Sequence, residues 1–164
     1  MRTALLACSA VTCCCAVLAL QPAQATADRA RLDRAERKVV RIINRIRARH
    51  GLRRVRASRS LSRAAAEHSS DMLRRNFLGH SSSDGTSMGQ RVRRYTSARW
   101  VGESIAAVSG RGTARRAVRL WMHSPPHRAV LLSRSGRRIG VGRGRGWLGG
   151  APLTVFTVDL ASGG

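Results

Sequence analysis

The sequence predicts a single α+β domain, and three observations predict it. Apolar residues recur at helical spacing in three segments ahead of residue 124, and two β-patterned runs close the chain. A length of 164 residues with 43% hydrophobic content suffices for one core.

Residues 1–25 read as a secretory signal: Arg2, an apolar run from Ala4 to Leu20, a helix-breaking Pro22, then Ala23-Gln24-Ala25 before the cleavage point. The run is shorter than the roughly 20 residues of a spanning helix, which disfavours a membrane anchor. All four cysteines (Cys8, Cys13, Cys14, Cys15) lie in this segment, so the exported chain carries neither disulfide nor thiolate ligand. Lipid attachment at Cys8 is disfavoured because almost no apolar stretch precedes it. A lead-in over 26–37 precedes the domain proper at 38–160, and 161–164 form a tail.

Leu32, Ala35, Val39, Ile42, Ile43 and Ile46 give the first amphipathic helix, Arg29 to His50, with Gly51 as its stop. Its polar face sets Asp33 four residues before Arg37, the spacing of an ion pair. After a short link over 52–55, Ser58 or Ser60 caps a second helix whose stripe is Leu61, Ala64, Ala65, His68 and Met72, with Asp71 in reach of Arg75. Residues 81–85 are loop by composition. One or two helical turns over 88–95 follow, then a brief extended Trp100-Val101 and a tight bend at Gly102. The third main helix spans 113–123, turns Ala114, Ala117, Val118, Trp121 and Met122 inward, and ends at Pro125. Beyond an apolar stretch at 129–132, residues 139–142 read as a strand, 143–150 as a glycine-rich turn and 152–160 as a second strand. In that strand Val155, Thr157 and Asp159 alternate with Phe156, Val158 and Leu160.

Three motifs stand at segment ends: Phe77-Leu78-Gly79-His80, Gly102-Glu103-Ser104, and Trp121-Met122-His123-Ser124-Pro125-Pro126-His127-Arg128. With Asn44 and Arg47 as an N-x-x-R in the first helix, they resemble the CAP superfamily. This is the secreted domain of cysteine-rich secretory proteins, antigen 5 and pathogenesis-related 1 proteins, and the short bacterial type is the nearest in pattern. The resemblance covers 38–160. It implies a three-layer α-β-α sandwich and a cleft where two histidines and two glutamates gather, in some members around a divalent metal. His80 matches the first histidine, Glu103 the glutamate of the family's G-E-N, and His127 the histidine of its S-P-G-H-R. Ser124 stands where the second glutamate belongs, Ser104 replaces the asparagine and Pro126 the glycine.

Two neutral imidazoles and one carboxylate form a familiar zinc shell with one position left for water. His80, Glu103 and His127 are therefore the candidate metal ligands and, with Ser124, the candidate cleft. Glu103 stands apart from the helical acids because Trp100, Val101, Ile105 and Ala106 flank it, and a carboxylate in apolar surroundings needs a partner. The plainer alternative is that both histidines only hold loops through hydrogen bonds. His68 fits a hydrogen-bonded core histidine better than a ligand, His50 suits a helix C-terminus and His123 the rim. Residues 85–89 satisfy G-x-S-x-G without the strand that a nucleophile elbow needs. Residues 144–149 satisfy G-x-G-x-x-G but lead into a strand rather than a phosphate-binding helix.

Net charge is +23, from 31 Lys and Arg against 8 Asp and Glu. A field of that sign attracts anionic envelope polymers, lipid or nucleic acid in a salt-sensitive way; an arginine bias in the coding sequence gives the same count with the charge merely solvated. The clusters at 53–56, 91–94 and 115–119 lack interleaved aromatics, which argues against sequence-specific nucleic-acid readout. The expected function is a secreted, non-enzymatic module that binds a small ligand or the anionic envelope. Two classes compete with it: a metal-dependent hydrolase of peptide or envelope substrates, with zinc on His80 and His127 and Glu103 as ligand or base, and a cationic adhesin or toxin acting through charge alone.

Overall fold

Residues 32–163 are described by a computed structural model, and the expected signal segment with its cysteines lies outside them. The elements are α1 (Arg34–Arg49), β1 (Arg56–Ala57), α2 (Arg59–Arg74), α3 (Met88–Arg93), β2 (Val101–Ser109), α4 (Ala114–His123), α5 (Pro125–Leu131), β3 (Arg138–Leu148) and β4 (Ala151–Ala161). β1 runs parallel to β3, the other pairs are antiparallel, and the strand order is β1-β3-β4-β2. α1, α4 and α5 cover one face and α2 the other, which makes the three-layer α-β-α sandwich that the resemblance implies.

α1 begins later than its apolar spacing suggests, because Asp33 caps it. The Asp33 carboxylate accepts from the Glu36 amide at 2.8 Å while Glu36 accepts from the Asp33 amide at 2.7 Å, a reciprocal capping box. A side chain drawn back over the helix start cannot reach Arg37. Asp33 pairs instead with Arg143 of β3, and Arg37 donates to the Leu32 carbonyl. The buried stripe of α1, Val39 and Ile43, joins one core cluster with Ile139, Val141, Phe156, Val158 and Leu160, the sheet residues of one parity. Asn44 exchanges two hydrogen bonds with Val55, at 2.8 and 3.0 Å. Arg47 is buried without an acid; its guanidinium donates to the carbonyls of Arg53, Leu131, Ser133 and Gly136. The N-x-x-R pair thus ties α1 to the link before β1 and to the end of α5 with the loop that follows it.

From α4, Ala114, Ala117, Val118 and Trp121 enter the same core, and Trp121 is fully buried. Trp121→Ala is expected to cost about 3–5 kcal/mol by emptying that site. A thermal melt within a degree or two of wild type would contradict this packing.

Three local expectations are corrected. Gly102 is no bend but a residue of the nine-residue strand β2; a Cβ there would lie 3.0 Å from the Trp100 ring and 3.0 Å from a Val130 methyl carbon. β3 does not stop at Gly142 but runs to Leu148, and the turn is only Gly149-Gly150, at φ +58° and +78°. Gly140, Gly142, Gly144 and Gly146 therefore fall on one face of a strand, where they let the α2 backbone approach the sheet. A Cβ on Gly140 would lie 2.1 Å from the carbonyl carbon of Leu61, and one on Gly142 2.2 Å from that of Ala65. Finally, α4 stops before Pro125 as expected, but the two prolines open a new helix rather than a coil. Proline suits the first helical positions, whose N–H groups have no intrahelical acceptor.

Candidate functional site

Glu103 is the third residue of β2, at the edge of the sheet, and its side chain points to the α2 face. The carboxylate is fully buried and both oxygens are engaged. Oε1 accepts from His80 Nδ1 at 2.8 Å, and Oε2 accepts from the Arg91 guanidinium, itself buried on α3. Arg91 also donates to the His80 carbonyl at 2.9 Å and to Ser82 Oγ at 3.2 Å. One guanidinium thus neutralises Glu103 and fixes the backbone of the loop that presents His80. The His80 side chain remains 55% exposed.

A second histidine holds the same loop from beneath. His68, buried on α2, donates from Nε2 to the Gly79 carbonyl at 2.9 Å, with the same nitrogen 4.0 Å from Glu103 Oε2. Burial holds His68 below the ordinary imidazole range, which favours the neutral ring with its one N–H on Nε2. Asp71, expected to reach Arg75, instead accepts from the Ser83 amide and hydroxyl at 2.9 and 2.8 Å, closing the far side of the loop; its cationic neighbour is Arg74.

His127 enters from the opposite layer, in the first turn of α5. Its ring centroid lies 6.2 Å from that of His80, and its Nδ1 is hydrogen-bonded to Ser124 Oγ at 2.9 Å. Ser124 makes no side-chain cap for α5 and uses its hydroxyl to orient His127. His80 and Glu103 are therefore in direct contact, His127 neighbours His80, and Ser124 touches His127 alone. His123 bonds to the carbonyl of Arg119 on the exposed side of α4.

Two further residues, Arg91 and Asp159, complete the site. Arg91 stands in the sequence only as one member of the arginine cluster at 91–94. Asp159 of β4 stands opposite Glu103 in the strand register, fully buried, and neither carboxylate oxygen finds a donor among the described residues. Burial first, and the neighbouring Glu103 charge second, push its carboxyl well above the ordinary range. A protonated Asp159 can donate to Glu103, which leaves one negative charge for Arg91. Asp159→Asn is therefore expected to melt at or above wild type at pH 7. The sign follows from linkage: a raised carboxyl pKa penalises folding as pH rises above the unfolded value, so the advantage of the amide should shrink below about pH 4. Thermal melts across pH read this directly; a large loss of stability at neutral pH would show that the Asp159 charge is needed.

The two cleft histidines are shifted in opposite senses. The hydrogen bond to Glu103 raises His80, while burial and then the His80 charge lower His127. The His80–Glu103 pair stabilises the fold fully below the unfolded imidazole pKa and loses that contribution as pH rises through the raised folded value.

The residues do not fit the three-ligand metal site that their types suggest. Both Glu103 oxygens already accept hydrogen bonds, and the arginine at its side supplies the positive charge that a metal would bring. Among the described residues no three or more His, Cys, Asp or Glu side chains are grouped to hold a metal ion.

A sheet-edge glutamate tied to one histidine, with a second histidine from the facing layer, on a three-layer sandwich, defines a recognisable class. The chain belongs to the CAP family, the cysteine-rich secretory protein family, whose pattern matches residues 40–160. The uncharacterized protein YkwD of Bacillus subtilis (strain 168) is 33% identical over 108 residues, which is 65% of this chain and 41% of that protein. The chain spans less than half the length of the curated relatives it matches. An extracellular SCP-domain protein from Bacillus anthracis str. Ames superposes with a TM-score of 0.67 at 25% identity, covering 79% of this chain and 40% of the other. An outer surface protein from Borrelia burgdorferi superposes with a TM-score of 0.66 at 22% identity, covering 80% of this chain and 96% of the other.

Proposed function

We propose that this chain is an exported CAP-domain binding module. The His80–Glu103–His127 cleft, with Ser124 at its rim, takes an anionic small ligand, and the arginine-rich surface holds the protein at anionic envelope polymers or lipid. The observation that carries the reading is the half-exposed His80 imidazole, whose charged form is supported from behind by buried Glu103 and which stands beside His127. Such a pair offers N–H donors to an anion from a rigid base, and needs no metal to do so. Export is supported by the signal-like residues 1–25 and by similarity to an extracellular and an outer surface protein. No helix among the described residues is long and apolar enough to cross a membrane.

The test uses a glycerol-phosphate oligomer as probe. Binding is expected to weaken steadily as salt rises, to shift the His80 and His127 imidazole resonances, and to fall several-fold in His80→Ala. An affinity unchanged in His80→Ala would leave charge alone as the binding agent, and the cleft reading would fail.

A further inference from the structure

The hairpin joining β3 to β4 carries a tryptophan that the fold does not use. Trp147 is 68% exposed, lies opposite Pro152 in the strand register, and precedes the Gly149-Gly150 turn. The tip is fixed rather than loose: the Asn76 side chain accepts from the Gly149 amide at 2.7 Å, and the Gly110 amide donates to the Pro152 carbonyl at 2.9 Å. These two bonds bring Arg75, which precedes Asn76, and Arg111, which follows Gly110, to the same end of the sheet, where Arg145 also emerges from β3. All three arginines are exposed, and none forms an ion pair among the described residues. The sequence holds no Asp or Glu from Ser104 through Val158, so this end of the molecule has no local countercharge from β3, α4 or the turn before it.

We propose that this hairpin tip is a docking surface for an anionic lipid bilayer, with the Trp147 indole in the interfacial region and Arg75, Arg111 and Arg145 on headgroup phosphates. Indole has an apolar body and one N–H donor, the composition favoured at the boundary between headgroups and acyl chains. Unpaired arginines around it match the negative potential of an anionic leaflet. A neutral glycan fits less well, since recognition of hydroxyls calls for free carboxylates or amides, and the Asn76 oxygen is already committed to Gly149. Trp147 lies roughly 23 Å and the turn roughly 30 Å along the sheet from the Gly140–Asp159 level of the cleft, so a docked protein leaves His80 and His127 open. The proposal specifies the envelope-holding part of the function proposed above and rests on that part, not on the cleft.

The experiment measures binding of the exported chain to phosphatidylcholine vesicles with and without phosphatidylglycerol, together with quenching of tryptophan fluorescence by lipids brominated in the acyl chain. Binding to the anionic vesicles, quenching that disappears in Trp147→Ala, and an affinity loss on the order of tenfold in that variant are expected. Leu120→Ala, at an exposed apolar residue on α4, should bind as wild type. Trp147→Ala should still bind the glycerol-phosphate oligomer, which separates this site from the cleft. Equal affinity of Trp147→Ala and wild type for the vesicles, absence of quenching, or equal binding to pure phosphatidylcholine would overturn the proposal.

Discussion

Arg91→Met is expected to destabilise the protein by about 3–5 kcal/mol, because it strands the buried Glu103 carboxylate without its cation. Glu103 would then keep one strong partner, His80, and would face Asp159 across the strand pair. The loop over 80–83 would lose its tie as well, since Arg91 also holds the His80 carbonyl and Ser82. Adding Glu103→Gln to Arg91→Met should recover part of the loss, because the remaining group is neutral; a double-mutant cycle in urea isolates that coupling. A single-mutant loss below about 1 kcal/mol would mean that Glu103 is solvated and the pair incidental.

Gly142→Val should be more damaging still, with a cost above about 4 kcal/mol and little soluble folded protein. Its first side-chain atom would lie 2.2 Å from both the Ala65 carbonyl carbon and the Ala66 amide nitrogen, which are backbone and cannot turn aside. Either α2 lifts from the sheet or β3 bends, and His68, Ser69 and Met72 leave their places together. Gly149→Ala is the matching control. It has open space around it and only a positive φ to resist a Cβ, so a loss near 1 kcal/mol is expected. Circular dichroism and denaturant titration of both variants distinguish steric exclusion from backbone strain.

The fold and the site are legible in the sequence where the signal is local. The stripe of Ala114, Ala117, Val118 and Trp121 repeats at helical spacing, and an acid set among Trp100, Val101, Ile105 and Ala106 announces its own burial. Fold and site are not legible where the cause sits on another element. Nothing near Arg91 separates it from Arg93 and Arg94; what buries it is Glu103, on β2. The period-two glycines of β3 looked like a turn because the reason for them is the α2 backbone. Asp159 is legible by the same signal as Glu103, an acid set between the apolar Val158 and Leu160. Pro125 illustrates a different limit: proline forbids the helix before it but favours one after it, and only packing of α5 against β2 decides.

The most direct test of the site is an NMR titration of the His80 and His127 imidazoles in wild type and in Glu103→Gln, with and without added zinc. The account predicts that wild-type His80 titrates above the ordinary imidazole range and His127 below it. Glu103→Gln should then lower His80 while His127 rises slightly, because a less charged His80 repels it less. Zinc at stoichiometric concentration should leave both curves in place, since Glu103 is committed to Arg91. A wild-type His80 that titrates no higher than His127, or stoichiometric zinc that quenches both titrations, would contradict it.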